Sequence, residues 1–217
     1  MNAIKNNYTV LGLLISYFSI SLLNILFSQI YGSQLNNFQA ISREILVFVC
    51  MAFLFWIIIK KENRTLESIG LYNSKWRKTV INVIIGLLIT IGGIALSLWL
   101  LNLLGLEFGT STAFDKLTPI AVLIIVIRAS VVEEVFMRGY IYERLKEYLK
   151  SPIAAALLST IPFALFHYNQ GWAGIIISFI LGSILMGLYM WKRDLKANII
   201  IHFLIDFIPN LLLVSIL

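Results

Sequence analysis

Apolar stretches broken by short polar or charged connections dominate the pattern of the chain. A bilayer crossing takes about 20 mostly apolar residues. Candidates lie at Tyr8–Ile30, Ile41–Ile59, Val80–Leu104, Pro119–Arg138, Pro152–His167, Ala173–Trp191 and Ala197–Leu217. The fifth is short and the second opens on Arg43 and Glu44, so about seven spans are expected, within a range of six to eight. In lipid the backbone must satisfy its own hydrogen bonds, which leaves helices as the economical solution for stretches of this length. The pattern therefore predicts an all-α, polytopic transmembrane helix bundle. Internal repeats and low-complexity runs are absent, so residues 1–217 read as a single membrane domain. The first stretch is too long for the apolar core of a cleaved signal and has no small-residue cleavage site; it reads as a retained span.

Composition agrees with the pattern. The chain is 59% hydrophobic and 13% charged, with mean hydropathy +0.89, whereas a soluble globule carries about a quarter charged residues. The net charge of +6 comes from basic connections. Lys60, Lys61, Arg64, Lys75, Arg77 and Lys78 follow the second span; Arg138, Arg144, Lys146 and Lys150 follow the fourth; Lys192, Arg193 and Lys196 follow the sixth. The alternate connections 31–40, 105–118 and 168–172 carry Lys116 alone. Basic loops mark the cytoplasmic side, so the N-terminus is expected in the cytoplasm and the C-terminus outside. Such loops report orientation and contact with anionic headgroups of the lipid bilayer, and give no reason to invoke nucleic acid. Cys50 is the one cysteine, which excludes an intrachain disulfide. Ile141, Leu145, Tyr148 and Leu149 recur at helical spacing, so the fourth helix is expected to run on beyond the membrane, lying on the interface or on the fifth helix.

Ionisable groups at bilayer depth are costly and mark function by default. Glu133, Glu134 and Arg138 end the fourth span, His167 ends the fifth, and His202 and Asp206 sit in the seventh. On a helix Glu134 and Arg138 share a face and pair. Glu133 points ~100° away and is expected to stand free as a general base; the alternative is a structural charge cluster. Phe163 and His167 share a face, and Pro162 precedes them. His167 alone reads as a structural histidine as readily as a catalytic one. His202 and Asp206 lie one turn apart, an arrangement that orients the imidazole and raises its basicity. One glutamate and two histidines converging on a water form a hydrolytic set, with or without a metal.

Read in order, these segments are EEVFMR, FALFH and HFLID. They resemble the three motifs of the CPBP family, EExxxR, FxxxH and HxxxN or HxxxD, which includes the type II CAAX prenyl proteases and the bacterial Abi (bacteriocin self-immunity) proteins. The resemblance covers roughly Pro119–Asp206, which makes about 119–217 the catalytic core and 1–118 three additional spans. It implies an intramembrane endopeptidase of the glutamate type in a bacterial plasma membrane, acting on a peptide precursor or a membrane-protein tail. Glu133 and His167 would activate water, and His202 with the residue at 206 would stabilise the oxyanion. Glu134, Arg138 and Phe163 would support the geometry. No cofactor is expected, since zinc-binding histidine pairs usually come from one HExxH helix; zinc held by Glu133, His167 and His202 is the alternative. Asp206 departs from the Asn of family members with well-understood proteolysis. An ionised Asp cannot donate to an oxyanion, so Asp206 is expected to orient His202, the donor. The oligomeric state is not legible. A non-catalytic immunity or regulatory protein and, less favoured, a proton-coupled transporter are the competing readings.

One expectation does not close on sequence grounds. Helical rise places Glu133 about 7 Å inward of Arg138 and His202 about 9 Å inward of Lys196. His167 lies about 22 Å from Pro152, too deep to share a water unless the fifth helix starts lower, tilts or bends.

Overall fold

The computed structural model describes residues 7–72, 75–106, 114 and 116–213, and the regular structure among them is helical. The elements are α1 (Asn7–Tyr31), α2 (Asn37–Trp56), α3 (Trp76–Leu103), α4 (Pro119–Arg128), α5 (Tyr142–Leu149), α6 (Pro152–Leu165), α7 (Gly171–Lys192) and α8 (Leu195–Phe207). A π-helical turn, Ile57–Lys61, prolongs α2, and another, Ile208–Leu213, prolongs α8. Among the described residues, four helices are long and apolar enough to cross a membrane: Asn7–Tyr31, Asn37–Lys61, Trp76–Leu103 and Tyr168–Lys192. The three that bear the motif residues are shorter or carry charge. The end of the expected seventh span, Val214–Leu217, lies outside the described residues, as do Glu107–Ala113 of the connection before α4.

Polar side chains set the helix starts. Asn36 and Gln39 form a reciprocal capping box, so α2 begins four residues ahead of the expected Ile41. Thr118 and Ser151 cap α4 and α6, each followed by proline in the first turn, where the missing N–H costs nothing. Asp194 caps α8 through Ala197 N at 3.1 Å. Lys150 and Arg193 adopt left-handed backbone, φ 52° and 49°, and reverse the chain from α5 into α6 and from α7 into α8.

Between α4 and α5 the helix does not stop. Two π-helical stretches, Ala129–Glu133 and Val135–Ile141, join them into one rod running from Pro119 to Leu149. This rod is the axis of the bundle. Val132, Val135, Phe136, Tyr140, Ile141 and Arg144 on it are 0–1% exposed, and α1, α2, α6 and α8 all pack against it. The expected extension beyond Arg138 is present and takes the second of its expected places, on the fifth span: α5 packs on α6, and Glu143 and Arg144 are buried.

α3 stands on the periphery, against α7 and α8. Its buried positions are Thr79, Asn82, Gly86, Thr90, Gly93, Ser97 and Leu101, a stripe of small and polar residues at helical spacing. Ile84, Leu88, Ile91 and Leu98 face outward. Small residues let backbones approach where lipid offers no hydrophobic drive for association. A β-carbon at Gly86 would collide with Ile201 of α8, and one at Gly93 with Ile184 of α7.

Candidate active site

Glu134 is the hub. Its carboxylate is fully buried and accepts from Arg138 Nη1 at 2.9 Å, from Asn198 Nδ2 at 3.2 Å and from His202 Nδ1 at 2.9 Å. The expected Glu134–Arg138 pair is present, one turn apart on the rod. Arg138 also donates from Nη2 to the Gly182 carbonyl at 3.0 Å, which ties the rod to α7. Its guanidinium lies 4.7 Å from the Phe163 ring centroid, within cation–π range.

Phe163 carries the contact onward. Its ring meets His167 edge to face at 4.9 Å, and His167 Nδ1 lies 2.8 Å from the Phe163 carbonyl. A carbonyl only accepts, so Nδ1 bears the hydrogen, and the neutral ring keeps its lone pair on Nε2. α6 ends at Leu165, and His167 begins the 3₁₀ turn Tyr168–Gln170. The fifth span is therefore shorter than Pro152–His167, and the histidine sits in the turn.

His202 is clamped from both sides. Opposite its Glu134 contact, Nε2 lies 3.4 Å from Asp206 Oδ2, and the Asp206 side chain is 34% exposed. The inner arm is a short bond to a buried carboxylate; the outer arm is long and open. Asn198, His202 and Asp206 form one stripe along α8, four residues apart, with Asn198 also donating to the Leu185 carbonyl at 2.7 Å.

Glu133 departs from expectation. It does not stand free, because Arg128 Nη1 donates to its Oε1 at 2.8 Å. The pair is five residues apart, a spacing that faces away on an α-helix. On the π-helical turn Ala129–Glu133 the backbone bonds i to i+5, and residues five apart come into line. Arg128 in turn pairs with Glu44 of α2, whose carboxylate is fully buried and also holds Arg43 at 2.6 Å. A second charge network, Arg43–Glu44–Arg128–Glu133, thus runs beside the first, and the N-terminal spans contribute to it. Buried charges are also not confined to the three motif-bearing helices.

Among the described residues, no hydrogen bond or ion pair joins Glu133 or His167 to His202. Their depths lie closer than the sequence implied. Ser159 donates to the Met137 carbonyl at 2.8 Å, which sets these two residues level. From there His167 lies eight residues outward, about 12 Å, and Glu133 four residues, about 6 Å. A difference of about one helical turn remains. The mismatch seen in the sequence came from starting α6 at the level of Arg138. The rod continues to Leu149 before the chain turns, so α6 begins far lower.

No three His, Cys, Asp or Glu side chains among the described residues are grouped so as to hold a metal ion. The residues that sequence reasoning missed are Arg128, Glu44 and Asn198. The first two were visible as charges inside apolar stretches, and Asn198 as the residue one turn before His202.

Neither the curated proteins nor the solved structures yield a match to this chain. Residues 115–208 match the family model described as type II CAAX prenyl endopeptidase Rce1-like, and this segment holds all three motifs. Over the segment that builds the site, the chain is similar to the Rce1-like type II CAAX prenyl endopeptidases, a family of proteases.

Proposed function

We propose that the chain is an intramembrane endopeptidase that hydrolyses a peptide bond with a water held by Glu133 and His167, while His202 donates to the developing oxyanion. Arg128 occupies Oε1 of Glu133, leaving Oε2 for the water. That carboxylate takes one proton as the water oxygen attacks the carbonyl carbon. His167 Nε2 accepts the water's second hydrogen and fixes the direction of attack. As the tetrahedral intermediate collapses, Glu133 returns its proton to the leaving amine nitrogen, and the acid and amine products separate.

His202 carries the reading. Glu134, itself held by Arg138, accepts from Nδ1, and the long, exposed contact with Asp206 is the arm a substrate oxygen can replace. With its carboxylate ionised, Asp206 accepts and so keeps a hydrogen on Nε2, the atom that must donate. This favours Asp206 as the residue that orients His202 rather than as the oxyanion donor.

The test uses the full chain in liposomes with a prenylated CAAX-type peptide and its unprenylated counterpart, product release being followed by mass spectrometry. Glu133→Gln, His167→Ala and His202→Ala should each lower turnover by about a hundredfold or more. Asp206→Asn should retain it. Loss of turnover in Asp206→Asn equal to that in His202→Ala would refute the assigned roles.

A further inference from the structure

At the basic end of the bundle, a cavity of about 490 Å³ opens between the start of α3 and the turn from α7 to α8. Tyr72, Lys75, Lys78, Lys192, Arg193 and Asp194 line it. Four cations thus face one carboxylate. That carboxylate is already engaged, since Asp194 Oδ1 accepts from Ala197 N and Oδ2 from Asn82 Nδ2 at 2.9 Å. Arg193 reaches Glu143 at 3.1 Å through Nη2, and its buried Nε has no partner. Lys75, Lys78 and Lys192 form no ion pair among the described residues.

Such a cluster is unfavourable as it stands. The first turn of α3 carries no acid, yet Lys75, Arg77 and Lys78 crowd the end of a helix whose dipole is positive. An anion between the lysines would relieve both the mutual repulsion and the mismatch with the dipole. The flanking residues say at what level that anion lies. Trp76 is 64% exposed and Trp191 61% exposed, and Lys192 Nζ sits 3.4 Å from the Trp191 ring centroid. Exposed tryptophans at span ends sit among lipid headgroups.

We propose that this cavity binds a phosphate-bearing anion, supplied by the headgroup of an anionic phospholipid in the leaflet facing the basic loops. The site is separate from the hydrolytic residues, and its existence does not rest on the proposed reaction. The headgroup would draw α3 to the turn between α7 and α8, the turn from which the helix bearing His202 begins.

The experiment is a titration of the purified full chain with phosphatidylglycerol and with phosphatidylcholine, bound lipid being counted by native mass spectrometry, with inorganic phosphate as a separate arm. Lys75→Gln with Lys78→Gln removes two exposed charges from the cavity. Lys60→Gln with Arg77→Gln removes two exposed charges from the same end but outside it. At about a fivefold loss per lysine near an anionic surface, the cavity pair should weaken phosphatidylglycerol binding roughly thirtyfold. The control pair should change it by less than about threefold, and phosphatidylcholine should not compete. Equal effects of the two pairs, or equal retention of both lipids, would overturn the proposal. Inorganic phosphate that binds without any preference for phosphatidylglycerol would overturn the lipid as its source.

Discussion

The central rod and α3 have opposite designs within one bundle. α3 is apolar on its outer face and small or polar on its inner one, and its hydroxyls close onto their own helix: Thr90 onto the Gly86 carbonyl and Ser97 onto the Gly93 carbonyl, each at 2.8 Å. It associates by close approach and holds no charge in its buried stripe. The rod is buried through its middle and holds its neighbours through ions: Arg138 to α7, Glu134 to α8 and Arg128 to α2. On α3, then, apolar positions face outward and small or polar ones face protein. Buried charge adds a further meaning, because small residues would have served packing at far lower desolvation cost.

The largest expected contrast comes from removing one charge on the rod. Arg138→Ala leaves Glu134 buried against His202 without its cation and should destabilise the bundle by about 3–5 kcal/mol. Leu88→Ala on the lipid face of α3 should leave thermal unfolding in detergent almost unchanged. Comparable losses would erase the distinction between the two elements.

A second contrast is acid-dependent. Glu62, just past the end of the second span, is bound by Arg144 at 2.7 Å, by Tyr140 at 2.7 Å and by Thr9 at 2.8 Å. Burial pushes its carboxyl upward, but these bonds and the Arg144 charge outweigh burial and hold it below the ordinary carboxylate value. Because the folded value is depressed, this stabilisation is fully present above the unfolded pKa of about 4.3 and is lost as pH falls through the folded value. Thermal unfolding of the wild type should weaken across that acidic window. Arg144→Ala should cost about 3 kcal/mol at neutral pH and flatten the acid dependence; an unchanged pH profile would contradict the role of this cluster. The smallest contrast tests α3 itself: Gly93→Leu should cost about 1–3 kcal/mol by overpacking against Ile184, measured by the same melt.

The sequence made the helical bundle legible because the length and apolarity of a span are local properties. α1 falls within one residue of its expected ends, and the Glu134–Arg138 and His202–Asp206 pairs are present at the expected four-residue spacing. What escaped depended on departures from that repeat or on distant contacts. Arg128 meets Glu133 only because the helix widens to a π turn between them. The depth of His167 depended on how far the rod runs past Arg138, which the mixed pattern of residues 139–149 indicated as an extension without fixing its place. Glu44 comes from a helix outside the motif-bearing segment, and no spacing rule links residues separated by 84 positions.

The most direct test compares the peptides present in membranes of cells expressing the wild type, Glu133→Gln or His202→Ala, at matched protein levels. The account predicts a set of shortened protein or peptide ends found with the wild type and lost in both variants, their uncut precursors accumulating instead. Identical peptide sets in all three would contradict a hydrolytic role for this site.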